Sequence, residues 1–216
     1  MSDPHPATPE SRRRLPSAER QAGIVAAVVE LAALHGPSGI TTQAIADRLG
    51  VTHGALFRHF PDKQAIWNAV FDWLETSLGA ALGEAFREGG DPLDTLGRVF
   101  FAHVGFVAAH PGVPRILFHE LQGPAGTPSR QRLRALVGGY RERLAGLFRA
   151  AKRAGQLPQA LDEEAAAALF LGTVQGLVLQ SALFAGEAGM AESARRLYPL
   201  LLDGFRGPAG TVRAGD

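Results

Sequence analysis

The side chains best placed to do chemistry fall in one run, residues 41–60. Two short helical patterns share it. The first opens on Thr41, Thr42 and Gln43 and carries Ile45 and Leu49 four apart. The second opens on Thr52, His53, Gly54 and Ala55 and carries Leu56 and Phe60 four apart. Threonine ahead of an apolar repeat is a good N-cap, and Gly50 between the patterns can supply the positive φ of a tight turn. If Ile45, Leu49, Val51, Leu56 and Phe60 share a core, then Thr52, His53, Gly54, Ala55, Phe57, Arg58 and His59 remain on the outer side of the second helix. Such a face suits the major groove of duplex DNA. Its small groups let the backbone approach, His53 can donate or accept at a base edge, and the methyls of Thr52 and Ala55 can meet thymine. The helix N-termini, with Thr42 and Gln43, offer donors to phosphate. Lys63 stands just beyond as a further phosphate contact, and Phe57 and His59 are placed to brace the sugar-phosphate backbone.

Other constellations are weaker. His103, His110 and His119 include no pair at i,i+3 or i,i+4 spacing, so no metal site is expected. His119-Glu120 has neither zinc-type spacing nor a nucleophile elbow beside it, so no enzyme and no cofactor are expected. The apolar C-terminal half instead suits a ligand held between helices. Candidate contacts are Phe100, His103, Val104, Val107, Phe118, His119, Tyr140, Phe170 and Gln175, with Arg143 as a further polar group in apolar surroundings. Aromatic bulk with a few polar handles implies a small, largely apolar effector.

The elements that must position these groups are all helices. Apolar residues recur at helical spacing over 18–35, 63–87, 92–109, 112–121, 129–154, 162–184 and 190–205, the last interrupted by Pro199. Gly36-Pro37, Pro61-Asp62, Gly89-Gly90-Asp91-Pro92, His110-Pro111-Gly112 and residues 123–128 punctuate them. No strand pattern is present, so the fold class is all-α with about nine helices. The expected organisation is a disordered basic arm over 1–17 carrying Arg12, Arg13 and Arg14, a reader domain over 18–78, a helical sensing domain over 79–206 and a disordered tail over 207–216. The helices near 162–184 and 190–205 are apolar on more than one side, with Ala168, Gly172 and Gly176 as small positions and Leu169, Leu177, Leu183, Leu197 and Leu201 as bulk. That surplus face points to a partner or to an internal core helix.

Bulk composition narrows the classes. The chain has 216 residues, 46% of them hydrophobic, and a formal net charge of +1. That balance excludes a nucleic-acid coat held by charge alone. Within 18–78 the basic residues Arg20, Arg48, Arg58 and Lys63 face six acids, Glu19, Glu30, Asp47, Asp62, Asp72 and Glu75. DNA binding there must rest on local placement. There is no cysteine, which fits a reducing compartment. The polar, proline-rich start lacks a signal-peptide core and no stretch reads as a membrane span, so a cytoplasmic protein without membrane contact is expected.

Residues 18–78 resemble the N-terminal domain of the TetR family of transcriptional regulators. The resemblance rests on Ile24, Ala27 and Leu31, Gly36, Thr41-Thr42, Ile45-Ala46, Gly50-Val51, Gly54, Leu56-Phe57, His59-Phe60 and Lys63. It implies a homodimer joined through the last two helices, two readers on a pseudo-palindromic double-stranded operator, and release of DNA when a small molecule enters the C-terminal domain. Phe57 departs from the tyrosine usual in the family, whose hydroxyl meets a phosphate. Backbone contact then shifts to Thr42, His59, Lys63 and the helix N-termini. The alternative from another class is a helical binding or scaffold protein that keeps the fold but reads no specific operator.

Overall fold

A computed structural model describes residues 17–87, 90–184 and 189–207. The basic arm, apart from Ser17, which begins the first helix, and the C-terminal tail, apart from Gly207, lie outside these residues. The described residues form nine α-helices and one 3-10 turn, with no strand among them. In chain order the helices are α1 (Ser17–His35), α2 (Thr42–Leu49), α3 (His53–Leu56), α4 (Lys63–Arg87), α5 (Pro92–Ala109), α6 (Gly112–Gln122), α7 (Pro128–Arg153), α8 (Glu163–Leu183) and α9 (Met190–Arg206); the 3-10 turn spans Pro37–Gly39.

Local chemistry sets most helix ends. Thr41, Thr52, Asp91, Thr127 and Asp162 each accept a hydrogen bond from a backbone N–H of the first turn that follows. Asp62 accepts from the Ala65 N–H at 2.7 Å and opens α4. Gly36 (φ 74°) and Gly50 (φ 63°) close α1 and α2 in the left-handed region that glycine enters without a Cβ clash. α9 continues through Pro199.

One expectation is corrected. The second reader helix was expected to extend to residue 60, yet α3 is a single turn, His53–Leu56. Residues 57–59 form a turn in which the His59 N–H bonds Leu56 O at 3.0 Å. Pro61 has no N–H to return to Phe57 O and its ring crowds that carbonyl, so the helix does not propagate through this segment.

Two cores stabilise the molecule. One gathers Ile24, Val28, Ile45, Leu56, Phe60, Ile66, Val70 and Leu74 and continues into α5 and α6 through Phe106, Val107, Val113 and Ile116. The other holds Phe100, Leu144, Phe148, Phe170 and Val174. α4 belongs to both, with Ile66 to Leu74 in the first and Leu82 and Ala85 in the second. The boundary expected near residue 78 thus falls inside one continuous helix. α6 lies against α1 so closely that a Cβ added at Gly112 would sit 2.0 Å from Val29 O.

Candidate functional site

The first site is the outer face of α2 and α3. Ile45, Ala46, Leu56 and Phe60 are buried, which turns Thr41, Gln43, Thr52, His53, Gly54 and Arg58 outward; Thr42, Ala55 and Phe57 are half-buried. Thr41 and Thr52 accept cap bonds at 3.0 and 3.2 Å. Each hydroxyl hydrogen stays available to a phosphate oxygen. Thr42 Oγ1 and His53 Nε2 lie 2.9 Å apart, and the His53 ring meets the Phe57 ring edge-on at 4.9 Å. His53 is therefore braced from both sides, which leaves Nδ1 for an outside partner. Gln43 donates to Asp47 Oδ1 at 2.6 Å. An added Cβ at Gly54 would meet only open space. Internal packing thus gives no reason for glycine there, while close approach of a ligand would.

His59 departs from its expected outward placement. Its ring is half-buried, Nδ1 is buried without a hydrogen-bond partner among the described residues, and its carbonyl accepts from Gln21 Nε2 of α1 at 3.1 Å. The early end of α3 swings this residue toward α1. Lys63 is exposed at the start of α4.

The acidic excess of residues 18–78 is largely directed away from this face. Arg132 of α7 donates to both carboxylate oxygens of Glu75, at 2.9 and 2.8 Å, and to Asp72 Oδ1 at 2.6 Å. Glu30 pairs with Arg48 at 2.6 Å across α1 and α2. Arg58 and Lys63 make no ion pair among the described residues.

The second site is a cavity of about 370 Å³ enclosed by α4, α5, α6, α7 and α8. Of the candidate contacts, His103, Val107, Phe118, Tyr140 and Gln175 line it. Phe100, Val104 and Phe170 do not; they are fully buried core, with Phe100 and Phe170 packed edge-on at 5.5 Å. His119 is exposed on the opposite face of α6, in a cleft with Lys63, Gln64 and Trp67. Arg143 lies over the Phe86 ring at 3.8 Å and does not line the cavity. The sequence reading missed most of the wall that α6 and α7 provide, including Val113, Leu117, Leu121, Arg130, Arg134 and Val137. The spacing of Val113, Leu117 and Leu121, four apart on one helix face, was the available signal. Among the described residues no three His, Asp or Glu side chains converge as a metal site.

Tyr140 Oη and His103 Nδ1 are 3.3 Å apart inside the cavity. Burial lowers the His103 pKa from 6.5 to about 4 and raises that of the Tyr140 hydroxyl. The folded chain keeps the imidazole neutral down to about pH 4, while the unfolded chain takes up a proton near 6.5. Stability is therefore full above pH 6.5 and falls as the pH drops toward 4. For this half-buried ring the loss from pH 7.5 to 5 is on the order of 1–2 kcal/mol. Thermal melts at both pH values should show a smaller acid loss for His103→Gln than for the parent chain. Equal losses would contradict the assignment.

α8 is apolar on more than one side, with Thr173, Gln175, Gln180 and Ser181 as its polar interruptions. Among the described residues it alone is long and apolar enough to cross a membrane, a property masked in the sequence by Gly172, Gln175 and Gly176. Only 33% of that stretch is buried within the chain. Phe170, Val174 and Leu177 face the core, whereas Leu169, Leu179 and Leu183 are 54%, 57% and 67% exposed; Leu200 of α9 is 73% exposed. Leu177 and Leu201, expected as part of the surplus face, are buried core instead.

Comparison with known proteins places this geometry. Residues 24–70 match the family model described as bacterial regulatory proteins, tetR family, and residues 123–197 match the tetracyclin repressor-like C-terminal domain. The chain is 32% identical over 162 residues to the nucleoid occlusion factor SlmA of Vibrio cholerae serotype O1, covering 73% of this chain and 81% of that protein. It is similar in fold to the ketosteroid transcriptional regulator KstR2 of Mycobacterium tuberculosis, with TM-score 0.75 and 18% identity over 88% of this chain and 96% of that one. FadR from Bacillus subtilis, solved with stearoyl-CoA, aligns with TM-score 0.71 and 21% identity over 85% and 98%.

Proposed function

The chain belongs to the TetR family of DNA-binding transcriptional regulators, and from that premise we propose that it is a cytoplasmic homodimeric repressor that leaves a pseudo-palindromic operator when a small apolar molecule fills the cavity. The observation that carries the reading is the position of α6. One face of it, with Val113, Leu117 and Phe118, walls the cavity, while Gly112 at its start touches the backbone of α1. A ligand that shifts α6 must then either move α1 or lose that contact, and α1 packs directly on α2. Such coupling needs a ligand that binds one arrangement better than the other. In this reading the reader is the segment 18–78, and Thr41, Thr42, Gln43, Thr52, His53, Gly54, Ala55, Phe57, Arg58 and Lys63 meet DNA.

Fluorescence anisotropy with duplexes from upstream of the chain's own gene tests the proposal. A palindromic duplex should bind much more tightly than random DNA at physiological salt; equal affinity overturns the reading. Arg58→Ala and Lys63→Ala should weaken all duplexes evenly, by about threefold to tenfold each, and lower the salt slope of log K by about one. His53→Ala should instead alter the ranking of duplexes substituted at single positions. An unchanged ranking removes His53 as a base reader.

The identity to nucleoid occlusion factors favours a second reading, in which DNA binding serves that role rather than control of a gene. Mapping of chromosomal sites separates the two. Sites confined to promoter regions support the repressor, and sites spread without promoter bias support the occlusion factor.

A further inference from the structure

We propose that the ligand of the cavity is an anionic amphiphile, its apolar chain between α5, α7 and α8 and its carboxylate or phosphate head at the α6–α7 mouth against Arg134 and Arg130. The inference rests on the effector reading above and narrows it to a chemical class.

The cavity wall carries a strong charge asymmetry. Both arginines line it, and no aspartate or glutamate does. The two lie four residues apart on α7, hence on one helix face. Arg130 is fixed in place because its Nη1 donates to Leu121 O at 3.0 Å and to Gly123 O at 2.8 Å. Those bonds leave Nε and Nη2 of the same guanidinium without a hydrogen-bond partner among the described residues. Arg134 is exposed and makes no ion pair there. The acids of neighbouring elements are engaged elsewhere. Asp72 and Glu75 are held by Arg132, and Glu120 accepts from Thr127 Oγ1 at 2.6 Å on the far side of α6.

The rest of the wall suits a hydrocarbon chain. Leu74, Phe106, Val107, Leu133, Leu171 and Val174 are buried and offer no hydrogen bond. Of the other polar groups in the wall, His103 and Tyr140 already face each other and are uncharged at neutral pH, and Gln175 carries a neutral amide. A cation would find no counter-charge here. An anion placed deep would lose its hydration without an ionic partner. An anion at the mouth keeps water and gains two guanidinium groups, whose forked donors match carboxylate and phosphate. Phe118 and Leu121, 46% and 48% exposed beside those arginines, would be covered by the first methylenes of the chain.

The test uses the full chain and four probes of equal chain length below their micelle concentrations: decanoate, decyl phosphate, decanol and decyltrimethylammonium. Trp73 packs against the cavity residue Phe106 at 6.3 Å between centroids, so intrinsic fluorescence reports occupancy. Decanoate or decyl phosphate should bind at least about fivefold tighter than decanol, and the ammonium weakest. The stronger of the two acids identifies the head group. Arg134→Ala, an exposed substitution that leaves the core untouched, should abolish the preference for acid over alcohol while decanol affinity stays the same. Decanol binding as tightly as either acid overturns the anionic class but leaves the effector cavity standing. An Arg134→Ala chain that keeps its full preference also overturns it. Failure of all four probes to bind overturns the effector reading together with the inference.

Discussion

Gly112→Ala is expected to lower the midpoint of thermal unfolding by about 3–10 °C, since at no other described glycine would an added Cβ come so close to backbone. The added Cβ would lie 2.0 Å from Val29 O and 3.0 Å from Ala33 N. Both are backbone atoms of α1, so no side chain can rotate away. α6 must slide or tilt, which opens the packing of Val113 and Ile116 against the reader core. Overpacking of this kind costs about 1–3 kcal/mol, and in a chain of this size each kcal/mol shifts the midpoint by about 2–4 °C. Gly105→Ala is the control. Gly105 is exposed on α5 with open space around an added Cβ, so its replacement should leave the midpoint unchanged or slightly higher through helix propensity. Calorimetry on both variants decides the matter. A Gly112→Ala chain as stable as its parent would remove the α1–α6 contact from the account. In operator binding the same variant should mimic the ligand-bound state and bind the palindrome less tightly even without ligand, since the contact it disrupts is the one proposed to carry the signal.

The double variant Leu179→Glu, Leu183→Glu should be monomeric at micromolar concentration and should bind a palindromic duplex about 100-fold more weakly, or worse. Both leucines lie on the outer face of α8, a third to half of the way around the helix from its core residues Val174 and Leu177, so the substitutions remove nothing from the interior. Leu169 on the same helix and Leu200 on α9 are exposed as well, and several large apolar side chains left open on two helices suit a partner surface. Two carboxylates from each protomer would lose their hydration at such an interface without a partner. Two readers joined in one particle bind two half-sites with an effective concentration that raises affinity by about 10²–10⁴, and separation of the protomers forfeits it. Sedimentation velocity and anisotropy on the same preparation check both statements. A persistent dimer would place the interface elsewhere. A monomer with undiminished affinity for the palindrome would refute the paired-reader arrangement. Affinity for an isolated half-site should change little.

Much of this architecture was legible in the sequence because it depends on neighbours along the chain. Thr41, Thr52 and Asp62 cap the helices that follow them, as their residue types imply. Gly50 adopts the positive φ expected of it. The early end of α3 was less legible, since Pro61 withholds the N–H that Phe57 O would accept, against an apolar spacing that favours continuation. His59 moved with it from the outer face toward α1.

The cavity shows the same division. His103, Val107, Phe118, Tyr140 and Gln175 could be named from polar or aromatic character within apolar stretches. Phe100, Val104 and Phe170 carry the same signature and lie in solid core. No one-dimensional pattern separates a phenylalanine facing a void from one facing another phenylalanine. The residues were known to be apolar and helical, and the void was decided by how five helices meet.

By itself, the sequence determined the helical class, most of the helix ends and the outward placement of Thr41, Gln43, Thr52, His53, Gly54 and Arg58, since each depends on residues within a turn or two of one another. Charge could not be read that way. Six acids against four bases over residues 18–78 describe a reader repelled by DNA, until Arg132, far along the chain on α7, takes up Asp72 and Glu75. Coulomb interactions fall off with distance in space and are indifferent to separation in sequence. Only the tertiary structure could therefore decide that Asp72 and Glu75 face the junction with α7 while Arg58 and Lys63 make no ion pair among the described residues. The same holds for α6, whose two roles rest on a glycine pressed against a carbonyl it meets only in the folded chain.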